Sequence, residues 1–289
     1  MTSIPFVTVD VFTDTRFGGN PLAVFPDAAG LDTDKMRALA REFNLSEIAF
    51  VLPPADPRNT ARVRIFTSAT EIGFAGHPNV GVGWVLAGAN EGGGLLRLEQ
   101  AAGLVEVEIS PGPQTMRHCR IRAPQPLSRG KSPPRDAVSA CASLSSSEIG
   151  EPRLASVALA TICVEVTGEV LARAKCDPAA FDRIAADRPD LAEICLLFLY
   201  TRSGTHIDAR MFAPLSGTIE DPATGSAAAA MCALLLDEGD DDDIRLEVTQ
   251  GVAMGRPSRM IVEAKRTSDG IRAWVGGGCV PVLHGEAQI

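Results

Sequence analysis

The chain lacks four things, and each absence narrows what it can do. It has no dense Lys/Arg cluster, and 27 basic against 36 acidic side chains leave a formal net charge of −9. No basic face is therefore offered to phosphates, which argues against a nucleic-acid partner. No C-x-x-C pair occurs among its seven cysteines, an odd number scattered from Cys119 to Cys279. That leaves neither a disulfide framework nor a zinc site, and points to buried thiols in a reducing compartment. No apolar run reaches membrane-spanning length. Met1 to Val9 carries no basic segment ahead of a long apolar one, so no signal peptide is expected and a cytoplasmic location is. What is present is a hydrophobic content of 45% over 289 residues, enough to bury one large core or two medium ones. The expectation is a globular protein whose partner is a small molecule, without nucleic acid and without a membrane.

One stretch organises the rest. Glu220-Asp221-Pro222-Ala223-Thr224-Gly225-Ser226 leads directly into the apolar run Ala227 to Leu236. Small residues that end where a helix-forming run begins should aim several backbone N–H groups and a helix dipole at one spot, which favours an anion. Asp221 at the mouth of such a turn is at odds with that unless it is protonated or hydrogen-bonds an ammonium or hydroxyl of a ligand. Perturbed carboxylates of this kind gather at functional sites. The competing reading is a plain Asp N-cap followed by Pro at the first helical position.

A second copy of the arrangement lies earlier. Arg64-Ile65-Phe66 is followed by Gly76-His77-Pro78-Asn79-Val80-Gly81 and the apolar run Val82 to Ala87, as Arg210-Met211-Phe212 is followed by Asp221 to Ser226. Each copy reads as strand, loop, then a small-residue turn opening a helix. Their separation of about half the chain favours two related domains. If both turns face one interdomain cleft, two helix N-termini would aim at one small anionic ligand.

Between these landmarks the chain reads β-rich. Phe6 to Phe12 alternates as a strand, and Phe17-Gly18-Gly19-Asn20-Pro21 reads as a turn in which Asn20 is either a ligand contact or merely a turn residue. Asp32 to Asp34 offer N-caps for a helix through Met36, Leu39, Ala40 and Phe43 that ends near Asn44. Glu47 then stands at the start of the continuous apolar strand Ile48 to Leu52. Against a wall of Leu45, Ile48 and Phe50, burial would raise its pKa toward neutrality, as an acid/base needs; on the other reading it is a surface residue after a helix cap. His77 either donates to a substrate or caps its own helix. Further strands are expected over Asn59–Thr67, around Leu96 and Leu98, over Val105–Ile109, His118–Arg122, Val157–Val166, Ile194–Tyr200, Met260–Ala264 and Trp274–Leu283, with a helix over Pro178–Ala186. The prolines from Pro124 to Pro134 mark the expected boundary between a first domain, 1–125, and a second, 126–277, with a last strand, 278–289, able to return to the first. Asp237 to Asp243 is a solvated acidic loop without the pattern of a calcium site.

Taken together, Asp10-Val11-Phe12 with Gly19-Asn20-Pro21, Asn44 to Glu47, Ala75 to Pro78, Glu220 to Ser226, and Gln250-Gly251 with Gly255 to Ser258 resemble the phenazine-biosynthesis PhzF-like isomerases. The match is ordered along nearly the whole chain. It implies an α+β, diaminopimelate-epimerase-like fold: two similar domains, each a mostly antiparallel barrel-like sheet around a central helix, with the site between them. It also implies homodimers and no cofactor. Carried over by position, the family's acid/base falls on Glu47, with His77 and Asp221 as further catalytic positions, and Asn20, Ser46, Gly76, Gly225 and Ser226 as substrate-binding positions; no metal is implied. Related racemases place a cysteine pair at the positions of Gly76 and Asp221, and neither is cysteine here, so two-thiol racemisation lacks its base and its acid.

The chain departs from the family pattern at Thr67 to Thr70, which lacks a proline, at Asn79 in place of threonine, and at Ala158 and Ala160 in place of Gly and Pro. The last of these, in a strand of the second domain, bears on the shape of the pocket wall and hence the substrate. The expected function is a cofactor-independent isomerase moving a proton within a small carboxylate through one carboxylate acid/base. An epimerase or racemase of a small amino-acid-like substrate, and a non-catalytic binding protein, are the alternatives.

Overall fold

Antiparallel pairing begins at once. β1 (Ser3–Val11) and β2 (Asn20–Phe25) run from Val7 opposite Val24 to Val11 opposite Asn20. Asn20, expected in the turn, is thus the first residue of a strand, because the reversal is completed at Gly19, whose φ of +58° only glycine adopts freely. The computed structural model describes residues 3–88, 93–111, 117–192 and 195–289. Of the expected strands, Met1 and Thr2 before the first and Ile194 in the one ending at Tyr200 lie outside the described residues.

The chain divides into two compact units, Met1–Arg122 with Gly276–Ile289, and Ala123–Val275. In the first, α1 (Thr33–Phe43) follows β2. The Asp32 side chain accepts from the Lys35 N–H at 2.8 Å, and the helix stops at Asn44 in the left-handed conformation, as expected. β3 (Ile48–Leu52) then lies parallel to β2, and β4 (Ala61–Phe66) antiparallel to β3. The two-residue strand β5 (Glu71–Ile72) turns back on β4 and leads into α2 (Gly76–Ala87). β6 (Gly94–Gln100), β7 (Gly103–Pro111) and β8 (Arg117–Arg122) complete an antiparallel meander, with β6 parallel to β4.

The second unit opens with β9 (Ser128–Gly130), α3 (Arg135–Cys141), β10 (Arg153–Ser156) and β11 (Thr161–Glu165). Of the single strand expected over Val157–Val166, only Thr161–Glu165 is strand; 157–160 form a bend after β10, which ends at Ser156. The Val157 carbonyl accepts from the Gln125 N–H at 3.1 Å and so leaves the ladder. α4 (Gly168–Arg173) and α5 (Pro178–Asp187) precede β12 (Leu196–Ser203), β13 (His206–Ala213) and the short β14 (Thr218–Asp221). α6 (Gly225–Asp237), β15 (Asp243–Gln250), β16 (Ser258–Thr267) and β17 (Gly270–Gln288) finish the chain. From Gly276 onward β17 belongs to the first unit. There it pairs antiparallel with β1, from Ser3 opposite Gln288 to Val11 opposite Cys279, and also with β8. The sheet β1-β2-β3-β4-β6-β7-β8-β17 is thereby closed on itself, which removes its edges.

Each unit holds one predominantly apolar helix that is buried along most of its length. α2 is buried from Gly76 to Gly83 against β1, β2, β7 and β8, and α6 from Ala227 to Leu234 against β10, β11, β12, β15 and β16. A helix without a polar face is a core helix. α2 approaches its sheet so closely that a Cβ on Gly81 would lie 2.5 Å from Leu22 Cδ2. Amphipathic helices cover the outside: α1 through Met36, Leu39 and Ala40 on Phe25, Phe50 and Phe66, and α5 through Phe181 and Ile184 on Leu197 and Phe212. Each unit is a mostly antiparallel barrel-like sheet around a central helix.

The internal repeat is physical as well as sequential. Arg64 on β4 grips Glu71 on β5 with two nitrogens, at 2.7 and 2.5 Å, and its guanidinium lies 5.1 Å from the Phe66 ring centre. Arg210 on β13 grips Glu220 on β14 at 2.8 and 2.8 Å, again 5.1 Å from the ring of Phe212. In both units a bidentate ion pair fastens the short strand that delivers the chain to the central helix.

Candidate active site

The left-handed cap at Asn44 turns the chain out of α1, and Leu45, Ser46 and Glu47 lead into β3. Ile48 and Phe50 belong to the cluster under α1, with Leu45 packed against it. Because alternate strand residues point to opposite faces, Glu47 is directed the other way, toward α2. The expected wall of Leu45, Ile48 and Phe50 thus lies on the α1 side of the strand rather than around Glu47. Its side chain keeps 20% of its surface exposed. Burial lifts the carboxyl above its usual range, and a hydrogen bond with the Ser46 side chain pulls it partly back.

His77 reaches the same place from the other side. The segment Gly76–Gly81, expected as a turn before a helix, is already the first part of α2. Pro78 is no obstacle there, since first-turn N–H groups have no intrahelical acceptor to lose. The position leaves His77 buried, with Nε2 3.6 Å from Glu47 Oε2. That separation is too long for a hydrogen bond and short enough for an ion pair once the imidazole carries a proton. Ser46 Oγ lies 3.4 Å from Oδ1 of Asn20, which is buried at the start of β2. The first unit therefore gathers Asn20, Ser46, Glu47 and His77, with Gly76 as the first residue of the helix carrying the histidine.

Behind this group sits a pair absent from the sequence reading. Asn79 and Gln100 are joined through both side-chain amides, and Asn79 Nδ2 also donates to the Ala75 carbonyl at 2.8 Å. Gln100 closes β6, so it ties the start of α2 to the sheet.

In the second unit Asp221 ends β14 and is buried; Oδ2 accepts the Thr224 hydroxyl at 2.5 Å. Thr224 is the N-cap of α6, Gly225 and Ser226 its first two residues. Gln250, wholly buried at the end of β15, donates to the Asp221 carbonyl at 2.7 Å and to Thr224 Oγ1 at 3.2 Å, and accepts from the Thr224 N–H at 3.3 Å. Ser258 Oγ donates to the Pro222 carbonyl at 2.8 Å. Gly251 must stay glycine: its φ is +77°, and a Cβ would lie 2.4 Å from the Arg256 carbonyl and 2.7 Å from that of Pro222. The Gln250-Gly251 and Arg256 to Ser258 motif is therefore the cradle of the Asp221 turn. The only advance signal for Thr224, Gln250 and Ser258 was their place in ordered motifs.

Among the described residues no group of three or more His, Cys, Asp and Glu is placed to hold a metal ion. The cysteines are held as thiols. Burial pushes Cys119, Cys141 and Cys163 up to about 12 and Cys176 and Cys195 up to about 11, and it raises Cys232 and Cys279 as well. No helix is long and apolar enough to cross a membrane among the described residues.

Residues 9–285 match the family model described as phenazine biosynthesis-like protein. An uncharacterized isomerase of Mesorhizobium japonicum is 37% identical over 300 residues, covering 98% of each chain. The trans-2,3-dihydro-3-hydroxyanthranilate isomerase of Pseudomonas aeruginosa is 34% identical over 291 residues, covering 98% of this chain and 99% of its own. A phenazine biosynthesis protein of the PhzF family from Bacillus anthracis superposes with a TM-score of 0.89 over 100% of both chains at 23% identity, a likeness of fold. With a family match along almost its whole length and full-length isomerase relatives, the chain belongs to the phenazine biosynthesis-like family and is an isomerase.

Proposed function

We propose that this isomerase moves a proton between two carbons of a small, cyclic or amino-bearing carboxylate without a cofactor, and that Glu47 carries the proton. The observation behind the proposal is a largely buried carboxyl group, raised in pKa by desolvation and 3.6 Å from a buried imidazole. As carboxylate, Glu47 takes a proton from one carbon; the C–H electron pair shifts the neighbouring double bond by one position. Protonated Glu47 then returns the proton to the far carbon, so substrate and product are isomers and no oxidant or co-reactant is consumed. His77 serves as the polar partner of that carboxylate. Asp221 is assigned the second titratable position, and Asn20, Ser46, Gly76, Gly225 and Ser226 are assigned contacts to the substrate. A two-thiol racemase is disfavoured by the raised thiols, which supply almost no thiolate near neutral pH.

The compound named for the Pseudomonas aeruginosa relative, trans-2,3-dihydro-3-hydroxyanthranilate, is the first substrate to try, in deuterated water with product analysis by NMR. Turnover with solvent deuterium entering one carbon is the expected result, and Glu47→Gln should lower it by about 10²–10⁴-fold with folding intact. Wild-type turnover in the Gln variant would remove Glu47 from the role.

A further inference from the structure

Four hydrogen bonds in the second unit have a fixed polarity. The orientation of the Gln250 amide is set twice over. Its Nε2 meets the Asp221 carbonyl at 2.7 Å, a group that can only accept, and its Oε1 meets the Thr224 N–H at 3.3 Å, a group that can only donate. The other Nε2 hydrogen then points at Thr224 Oγ1, 3.2 Å away. With a donor already aimed at its oxygen, the Thr224 hydroxyl must send its own proton elsewhere. Among the described residues its acceptor is Asp221 Oδ2, at 2.5 Å.

We infer that Gln250 is a positioning residue for Asp221, acting through Thr224. It makes Oδ2 a standing acceptor, so a proton that Asp221 takes up or releases resides on Oδ1. The arrangement costs little to maintain because Gln250 is wholly buried, its neighbour Gly251 is the one residue type that fits between the Pro222 and Arg256 carbonyls, and Ser258 pins the Pro222 carbonyl from the other side. Chains of hydrogen bonds in such low-dielectric surroundings polarise one another, so removing the first donor is felt at the last acceptor. The first unit uses its matching glutamine differently. Gln100, at the end of β6, pairs with the amide of Asn79, which in turn holds the Ala75 carbonyl. In the second unit the glutamine controls a titratable group.

The kinetic side of this inference rests on the reading of Asp221 as a proton-handling residue; the hydrogen-bond polarity does not. The test is therefore spectroscopic first. In protein carrying ¹³C at the aspartate carboxyl carbons, with Asp221 assigned by its loss in Asp221→Asn, Thr224→Val should move the Asp221 resonance and Thr224→Ser should return it to the wild-type position. Gln250→Glu replaces the donating amide by an acceptor and should move the resonance too, although the Thr224 hydroxyl remains. An Asp221 resonance unmoved by a folded Gln250→Glu protein overturns the inference. If that variant does not fold, an unmoved resonance in Thr224→Val does the same. On a turned-over substrate, Thr224→Val and Gln250→Glu should each lower kcat about tenfold with KM changed less than twofold, and the double variant should lose about tenfold in total rather than a hundredfold, as expected for links of one chain. Full additivity counts against the inference. Wild-type turnover by Asp221→Asn, with the resonances moving as described, sinks the catalytic reading of Asp221 and leaves the positioning in place.

Discussion

The two central helices start from the same scaffold and carry different chemistry. In both units an arginine grips a glutamate on a two- to four-residue strand, three residues follow, and a predominantly apolar helix begins at a glycine, Gly76 in one and Gly225 in the other. Aligned by these elements, His77 matches Ser226, and Asp221 matches Ile72. The first unit therefore places its titratable groups on the helix and on the start of β3, where Glu47 and His77 meet inside the barrel. The second places its carboxylate at the end of the short strand, outside the helix, and spends a buried glutamine and a threonine on orienting it. A duplicated fold thus conserves the support and lets the reactive groups move by a few residues, because the scaffold depends on backbone pairing and burial while chemistry needs only side chains near a helix start.

The comparison breaks most sharply in turnover. Glu47→Gln removes the proposed acid/base and should cost about 10²–10⁴-fold in kcat, whereas Gln100→Ala, which only loosens the support of α2, should cost less than about tenfold, the value of a single hydrogen bond. Steady-state kinetics on one confirmed substrate would compare them directly; equal losses would erase the distinction between chemistry and support.

Stability comes next. Arg210 also donates to the Leu171 and Ala174 carbonyls, at 3.2 and 2.7 Å, while among the described residues Arg64 adds the Thr33 hydroxyl at 3.0 Å. Arg210→Ala should therefore cost about 1–3 kcal/mol, as losing hydrogen bonds to a charged, partly buried group does, and Arg64→Ala less, by urea denaturation. Acid should weaken the first pair in a defined direction. Arg64 holds Glu71 below its usual range, so the stability it adds is present above the unfolded carboxylate pKa and is lost as pH falls through the lower folded value. Among glycines, Gly251→Ala should destabilise far more than Gly255→Ala. Both have positive φ, at +77° and +70°, but a Cβ at Gly255 meets nothing within 4 Å.

A smaller effect has the opposite sign. Burial raises the Glu47 pKa, so its charged form destabilises the fold progressively as pH rises above the unfolded carboxylate value, and the penalty vanishes below it. Glu47→Gln should accordingly raise the melting temperature at neutral pH and leave it unchanged near pH 3. An inactive variant that is also less stable at pH 7 would show that Glu47 is supported by charge rather than strained by burial. The smallest effect should come from the thiols. Iodoacetamide near neutral pH should label Cys176, the only cysteine that is not fully buried, slowly and leave activity intact.

Much of this was legible beforehand for reasons that can be named. The α1 cap, the β6–β7 meander and the duplicated Arg-x-Phe strands follow from short-range rules of capping, alternation and repetition. Other features were not local. Val157 to Val166 alternates well enough for one strand, yet 157–160 bend away from the ladder, with the Val157 carbonyl taken by the distant Gln125 N–H and the Leu159 carbonyl by the Thr161 hydroxyl. The Gly76–Gly81 segment, rich in Gly and Pro, reads as a turn although it is helix, since a proline in the first helical turn costs nothing. The face of Glu47 was misjudged because Leu45, Ile48 and Phe50 are near it in sequence while the strand sends them to the α1 side.

By itself the sequence pointed, through repetition and apolar runs, to two related units with mostly apolar helices and to the candidate carboxylates, and its ordered motifs carried the family resemblance that implied the α+β architecture, since all of these are properties of neighbouring residues. Tertiary structure alone decided which groups meet. Glu47 and His77 are 30 positions apart and come within 3.6 Å only because β3 and α2 line one barrel. Gln250 and Asp221 are joined only because β15 returns to the start of α6. Side-chain polarity, burial and pKa depend on what lies across those gaps, and packing, rather than local pattern, supplies it.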